Sequence, residues 1–96
     1  MHAVVRSYSG EGASELFDLI EQRNEDVRTL ISGVTGFISY TAVRTAEGGF
    51  TVTVCEDQSG TDESSKRAAA WVKENSPLTL NPPSINQGDT VARFGS

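Results

Sequence analysis

Side chains that bind metals or act as nucleophiles are scarce in this chain: His2 is the single histidine and Cys55 the single cysteine. A metal site needs several His, Cys or carboxylate ligands in one cluster. One histidine beside the initiator Met makes no cluster, so no metal is expected, and His2 reads as a polar residue at a strand end. A Ser-His-Asp arrangement would have to recruit His2, and no nucleophile elbow appears. A lone cysteine excludes an intrachain disulfide and fits a cytoplasmic setting. Its neighbours Val54 and Glu56 supply neither a base nor electropositive surroundings, so Cys55 reads as a packed side chain. Cations are few as well: 8 Lys and Arg, scattered singly, against 13 Asp and Glu, a net charge of −5. Nucleic-acid binders carry a basic stripe, so neither nucleic acid nor an anionic membrane is an expected partner. No apolar run reaches the ~20 residues of a membrane span. No basic and apolar leader opens the chain, so no signal peptide is expected. Gly10-Glu11-Gly12 precedes a helix, but Glu15 breaks the GxGxxG pattern, and no dinucleotide or other cofactor is expected.

What is present orders itself into one domain, residues 1–94, followed by Gly95-Ser96, which reads as a cloning remnant. His2 to Tyr8 is β-rich. Gly12 reads as an N-cap with Glu15 at capping-box spacing. Leu16, Phe17, Leu19, Ile20, Val27, Leu30 and Ile31 then recur at helical spacing up to a stop at Gly33. Phe37 to Thr45 and Phe50 to Glu56 read as strands joined by the turn Ala46-Glu47-Gly48-Gly49. Gly60-Thr61-Asp62-Glu63 opens a second helix, with both acids in its first turn. That helix should end near Asn75-Ser76-Pro77. Leu78 to Thr90 reads as a loop and Val91 to Phe94 as the last strand. The order βαββαβ is the ferredoxin-like, split βαβ arrangement of the α+β class. It implies a four-stranded antiparallel sheet with two helices on one face.

A sheet with one wet face alternates apolar with strongly polar residues. Here Phe37, Ser39, Thr41 and Val43 share a face with Phe50, Val52 and Val54, if the turn pairs Val43 with Val52. Ile38, Tyr40, Ala42 and Arg44 share the other with Thr51, Thr53 and Cys55. Neither face is cleanly polar, and the helices cover only one. The expected cover for the second is another copy of the chain, a homodimer through the sheet. The alternative is a monomer with a mildly apolar surface.

The element order, the length, the Gly36-Phe37-Ile38-Ser39-Tyr40 start of the second strand and Trp71 in the second helix resemble the antibiotic-biosynthesis-monooxygenase-like group of the dimeric α+β barrel superfamily. The resemblance covers nearly the whole chain and includes no diagnostic catalytic signature. It implies a homodimer whose sheets pack into a barrel and a small pocket between sheet and helices. Some members are cofactor-independent monooxygenases of aromatic polyketides or quinols, others degrade haem, and many have no known activity. The haem-degrading relatives use a histidine on the second helix, and this chain has none there.

The candidate pocket residues are polar or aromatic side chains on faces that ought to be dry. The stripe of the first helix passes through Arg23 and Asn24, which either overhang the sheet edge or look into a pocket. On the second helix Ser64, Ser65, Ala68, Trp71, Val72 and Asn75 share a face. Small residues beside one Trp either let the helix sit close to the sheet or leave room for a ligand. Tyr8, Arg6 and Tyr40 are the strand residues able to meet such a pocket, though the sequence leaves open which sheet side faces the helices. Two functions follow. One is a non-catalytic dimeric domain that binds a small aromatic ligand, favoured by the missing acid–base constellation. The other is a cofactor-independent monooxygenase of a phenolic, quinol or polyketide-like substrate. That enzyme needs a dry aromatic pocket and a polar group to assist deprotonation; Trp71, Tyr40 or Tyr8, and Asn24 or Arg6 can supply them.

Overall fold

A computed structural model describes residues 1–76 and 80–95. The chain runs β1 (His2–Ser9), α1 (Ala13–Gln22), α2 (Asn24–Ser32), β2 (Phe37–Thr45), β3 (Gly48–Cys55), α3 (Gln58–Asn75) and β4 (Ser84–Asp89). The four strands form one sheet in the order β2-β3-β1-β4, and every neighbouring pair is antiparallel. The ferredoxin-like α+β fold read from the element order is therefore the observed one.

Several local readings change. The expected single first helix is two helices that meet at Arg23, whose φ of −111° and ψ of 37° are not helical. Between Ile20 and Val27 no apolar side chain anchors the helix to the sheet. Glu25 and Asp26 fall in the first turn of α2, where the helix dipole favours acids and so a new N-terminus. The last strand is Ser84–Asp89, not Val91–Phe94, and so lies inside the expected loop. Val91 and Phe94 are 97% and 94% exposed. Backbone pairing with β1, from Ser7↔Ser84 to His2↔Asp89, outweighs the weak β propensity of Ser-Ile-Asn-Gln-Gly-Asp. Its polar side chains suit an edge strand. Finally, α3 begins at Gln58, not at Gly60, because the Asp57 side chain caps it by accepting from the Gly60 amide. The helix ends at Asn75 with Ser76 as its C-cap, where the stop was expected; Pro77, the first part of the expected loop at Leu78, and Ser96 lie outside the described residues.

The hairpin turn is Ala46-Glu47, since β3 already starts at Gly48. Val43 pairs with Phe50 rather than Val52. The shift is two residues, so the face assignment survives it. A bulge between Phe37 and Ser39 leaves Ile38 without a paired residue. It moves Phe37 off the face of Ser39 and onto the helix side, where it packs against the core.

The helix side of the sheet is the face of His2, Val4, Arg6 and Tyr8, all buried. Their register partners Gly49, Thr51, Thr53 and Cys55 share it. Tyr8, Leu16, Phe17, Ile20, Val27 and Ile31 form the apolar core against it. Two glycines permit the close approach of helices. A Cβ on Gly49 would stand 2.7 Å from the Phe17 ring of α1. A Cβ on Gly60 would stand 2.7 Å from the Cys55 Cβ of β3. The opposite face, with Ala3, Val5, Val43, Phe50 and Val52, is half-buried and carries no helix.

Candidate functional site

Alternation along β1 puts Arg6 and Tyr8 two residues apart on the helix side, under α3. The Arg6 guanidinium crosses to α3. Its Nη1 donates to Ser64 Oγ at 3.2 Å and Ser65 Oγ at 3.0 Å, and its Nη2 donates to Thr53 Oγ1 at 2.7 Å. The residue is 2% exposed. The small residues one turn before Trp71 therefore do not leave an open space, as one reading of the sequence had it. They make room for a buried cation and accept its hydrogen bonds. Among the described residues no carboxylate pairs with Arg6. Two buried polar atoms beside it, Arg6 Nε and Thr51 Oγ1, have no hydrogen-bond partner.

These groups belong to the wall of a chamber between sheet and helices. Arg6, Tyr8, Tyr40 and Thr51 line it from the sheet; Leu16, Ile20, Leu30 and Trp71 are among those lining it from the helices. As closed here it offers a volume of about 20 Å³, room for about one water. Tyr8 meets Phe17 edge-on at 6.0 Å and 67°, a favourable aromatic geometry. Trp71 is half-buried. The Arg23 guanidinium lies 5.9 Å from its ring centroid, a cation–π contact on the solvent side. Arg23 also donates to Asp26 and Asn75.

Of the five residues singled out from sequence, Trp71, Tyr40, Tyr8 and Arg6 thus line one chamber. Asn24 does not. It is exposed and lines a second space, a groove of about 530 Å³ between the paired first helices and β2. The two spaces share Ile20, Val27, Ile31 and Tyr40 as a common wall. Arg23 is on the surface, stacked on Trp71. Sequence reasoning missed the parts played by Thr51, Ser64 and Ser65. The signal for Thr51 was strand parity, since it faces Arg6 directly across β1 and β3.

Burial governs the electrostatics of the chamber. Desolvation pushes the Tyr40 phenol up to about 12, an effect that the nearby Arg6 charge partly opposes. Tyr8 is raised for the same reason. Arg6 is lowered by desolvation, but from so high a value that it stays charged at neutral pH. Tyr40 and Tyr8 are therefore neutral there and able to donate a hydrogen bond. Among the described residues no His, Asp or Glu lines the chamber. It holds one cation and no group that is a base at neutral pH. His2 lies outside it, buried, with its Nδ1 2.7 Å from Thr61 Oγ1. Buried Cys55 has its thiol raised by desolvation, the inert state of a packed cysteine. Among the described residues no group of three His, Cys, Asp or Glu side chains is placed to hold a metal. No helix among them is long and apolar enough to cross a membrane.

No family model matches the sequence, and no curated protein matches it. The fold has solved counterparts. A protein of unknown function from Nitrosomonas europaea aligns over 99% of this chain and 92% of its own, at 16% identity and a TM-score of 0.71. The heme-degrader MhuD of Mycobacterium tuberculosis, solved with two hemes in its active site, aligns over 99% of this chain and all of its own, at 15% identity and a TM-score of 0.68. SnoaB, a cofactor-independent oxygenase from Streptomyces nogalater, aligns over 99% of this chain and 97% of its own, at 13% identity and a TM-score of 0.64. A dimeric ferredoxin-like protein from an uncultured marine organism is also among the matches. The neighbours are thus of the kinds that the resemblance to the antibiotic-biosynthesis-monooxygenase-like group implied, and at these identities what this chain shares with them is the fold.

Proposed function

We propose that this chain is a small α+β domain that binds an aromatic molecule in the chamber between its sheet and helices. The observation that carries the reading is the wall itself: Trp71, Tyr8 and Tyr40 among aliphatic side chains, with Arg6 as its one charged group. Small-molecule sites are mostly apolar, with a few placed polar groups. The closed volume of about 20 Å³ is well below the roughly 150 Å³ of an apolar cavity that takes benzene. A ring therefore enters by displacing half-buried Trp71, or Tyr40, which separates the chamber from the larger groove. Opening toward the groove would bring Asn24 to the ligand's outer end. The working form in this reading is a cytoplasmic homodimer through the helix-free sheet face, which leaves the chamber clear. Its support is the half-buried apolar row on that face and the dimeric relative of the same fold.

The second reading, cofactor-independent oxygenation of a phenol or quinol, is favoured by one specific feature. Arg6 beside the chamber can stabilise the oxyanion of an easily oxidised substrate, a task that needs no metal ligand. Trp71 is the only tryptophan, so its fluorescence reports the chamber directly. Titration with naphthalene and anthrone is expected to quench it saturably, and an unchanged spectrum refutes the binding reading. Oxygen uptake with anthrone or hydroquinone, lost in Arg6→Met, is the result expected of an oxygenase. Saturable quenching without uptake leaves a binding domain.

A further inference from the structure

Arginine is almost never fully buried without an ionic partner, because an isolated charge in an apolar setting is strongly disfavoured. Arg6 departs from that rule. It is 2% exposed, and its partners Ser64, Ser65 and Thr53 are neutral hydroxyls. Its remaining donor atom, Nε, has no partner, nor does the hydroxyl of Thr51 directly opposite on β3. Both residues line the chamber. The site thus presents a positive charge and two unused polar atoms to an interior otherwise lined by aromatic and aliphatic side chains. Of the five N–H groups of the guanidinium, Nη1 uses two and Nη2 one, which leaves one on Nη2 and the one on Nε. The two polar atoms left with no partner at all are thus one guanidinium nitrogen and one hydroxyl oxygen. That pair suits a single anionic oxygen carried on a ring.

We propose that the chamber takes its aromatic ligand as an anion, with a phenolate or enolate oxygen accepting hydrogen bonds from Arg6 Nε and Thr51 Oγ1. The inference rests on the reading that the chamber binds an aromatic molecule, and adds the charge state and the anchoring atoms. The ligand supplies the counter-charge that the protein leaves out. The ring lies against the aliphatic wall and Trp71. Since no carboxylate or histidine among the described residues lines the chamber, the phenol's proton leaves to solvent before the site closes, or the ligand arrives as the anion.

The probe is 4-nitrophenol, whose phenolate absorbs visible light, set beside neutral nitrobenzene. Burial in an apolar site by itself raises the pKa of a phenol, and a cation beside the oxygen lowers it. The sign therefore decides. The bound probe is expected to titrate about one pH unit or more below the free probe, meaning that phenolate binds about tenfold tighter than phenol. Thr51→Val should shrink that displacement and Arg6→Met should reverse its sign, each in protein whose circular dichroism is native. If Arg6→Met does not fold, the wild-type titration and Thr51→Val decide alone. Trp71 quenching by nitrobenzene and 4-nitrophenol alike, with the nitrophenol titration unmoved or raised, overturns the anion inference and leaves aromatic binding standing. If neither probe quenches Trp71, the aromatic-binding reading falls and the inference falls with it.

Discussion

At the scale of single residues the decisive feature is charge placed where apolar side chains prevail. Arg6 occupies an inward position of a central strand and relies on three hydroxyls, so its neighbours are polar residues that a purely structural core would not need. Tyr40 responds to the same dry setting. Burial raises it from an ordinary 10.0 to about 12, so the folded state holds the phenolic proton more tightly than the unfolded chain does. That contribution to stability is complete below pH 10 and is lost as pH rises through 12. Its size is on the order of 2 kcal/mol. Tyr40→Phe should therefore flatten the fall of the urea midpoint between pH 10 and 12. Tyr8, also raised by burial, should keep part of the slope. An unchanged slope in Tyr40→Phe means that Tyr40 is solvated.

At the scale of elements, close packing of α3 on the sheet holds the chamber's geometry. Gly60 lies in the first turn of α3 and is buried. An added Cβ would meet the Cys55 Cβ at 2.7 Å and the Thr35 carbonyl oxygen at 3.0 Å. Overpacking of this kind destabilises by about 1–3 kcal/mol. The gain in helix propensity, roughly 0.8–1.0 kcal/mol for Gly to Ala, offsets part of it. Gly60→Ala should thus lower stability by up to about 2 kcal/mol in chemical unfolding, and should tilt the N-terminal end of α3 away from β3. A stabilised Gly60→Ala protein shows instead that α3 has slack against the sheet. The first helix pair behaves differently. Its break at Arg23 frees that side chain to stack on Trp71, so the interruption places a lid residue on the chamber's outer side.

At the scale of the whole molecule the two sheet faces have different fates. One is sealed by three helices. The other carries Val5, Val43, Phe50 and Val52 half-buried, with no helix among the described residues over them. The homodimer proposed across that face would bury them. Light scattering is expected to give about twice the chain mass of 10.3 kDa. Val52→Glu, which puts a charge at the middle of the face, should yield monomer with native circular dichroism. A wild-type mass near 10.3 kDa at micromolar concentration refutes the dimer.

The sequence by itself determined the element order and hence the fold, because both depend on local periodicity and on the handedness of strand connections. It also determined which strand residues share a face, since parity survives a two-residue error in register. Phe37 escaped because a bulge changes parity, and the bulge arises from pairing with β3. The true last strand escaped because Ser84–Asp89 owes its place to backbone hydrogen bonds with β1, which no side chain announces. The five candidate pocket residues were named as polar or aromatic side chains on faces that ought to be dry; Trp71, Tyr40, Tyr8 and Arg6 line the chamber and Asn24 lines the groove beside it. What only the tertiary structure decided is what lies beside Trp71. Sequence offered either a close approach of the helix to the sheet or a gap among small residues. Arg6, 58 positions before Ser64 in the chain, fills it, because the antiparallel sheet brings β1 beneath α3 and the serines there accept its hydrogen bonds.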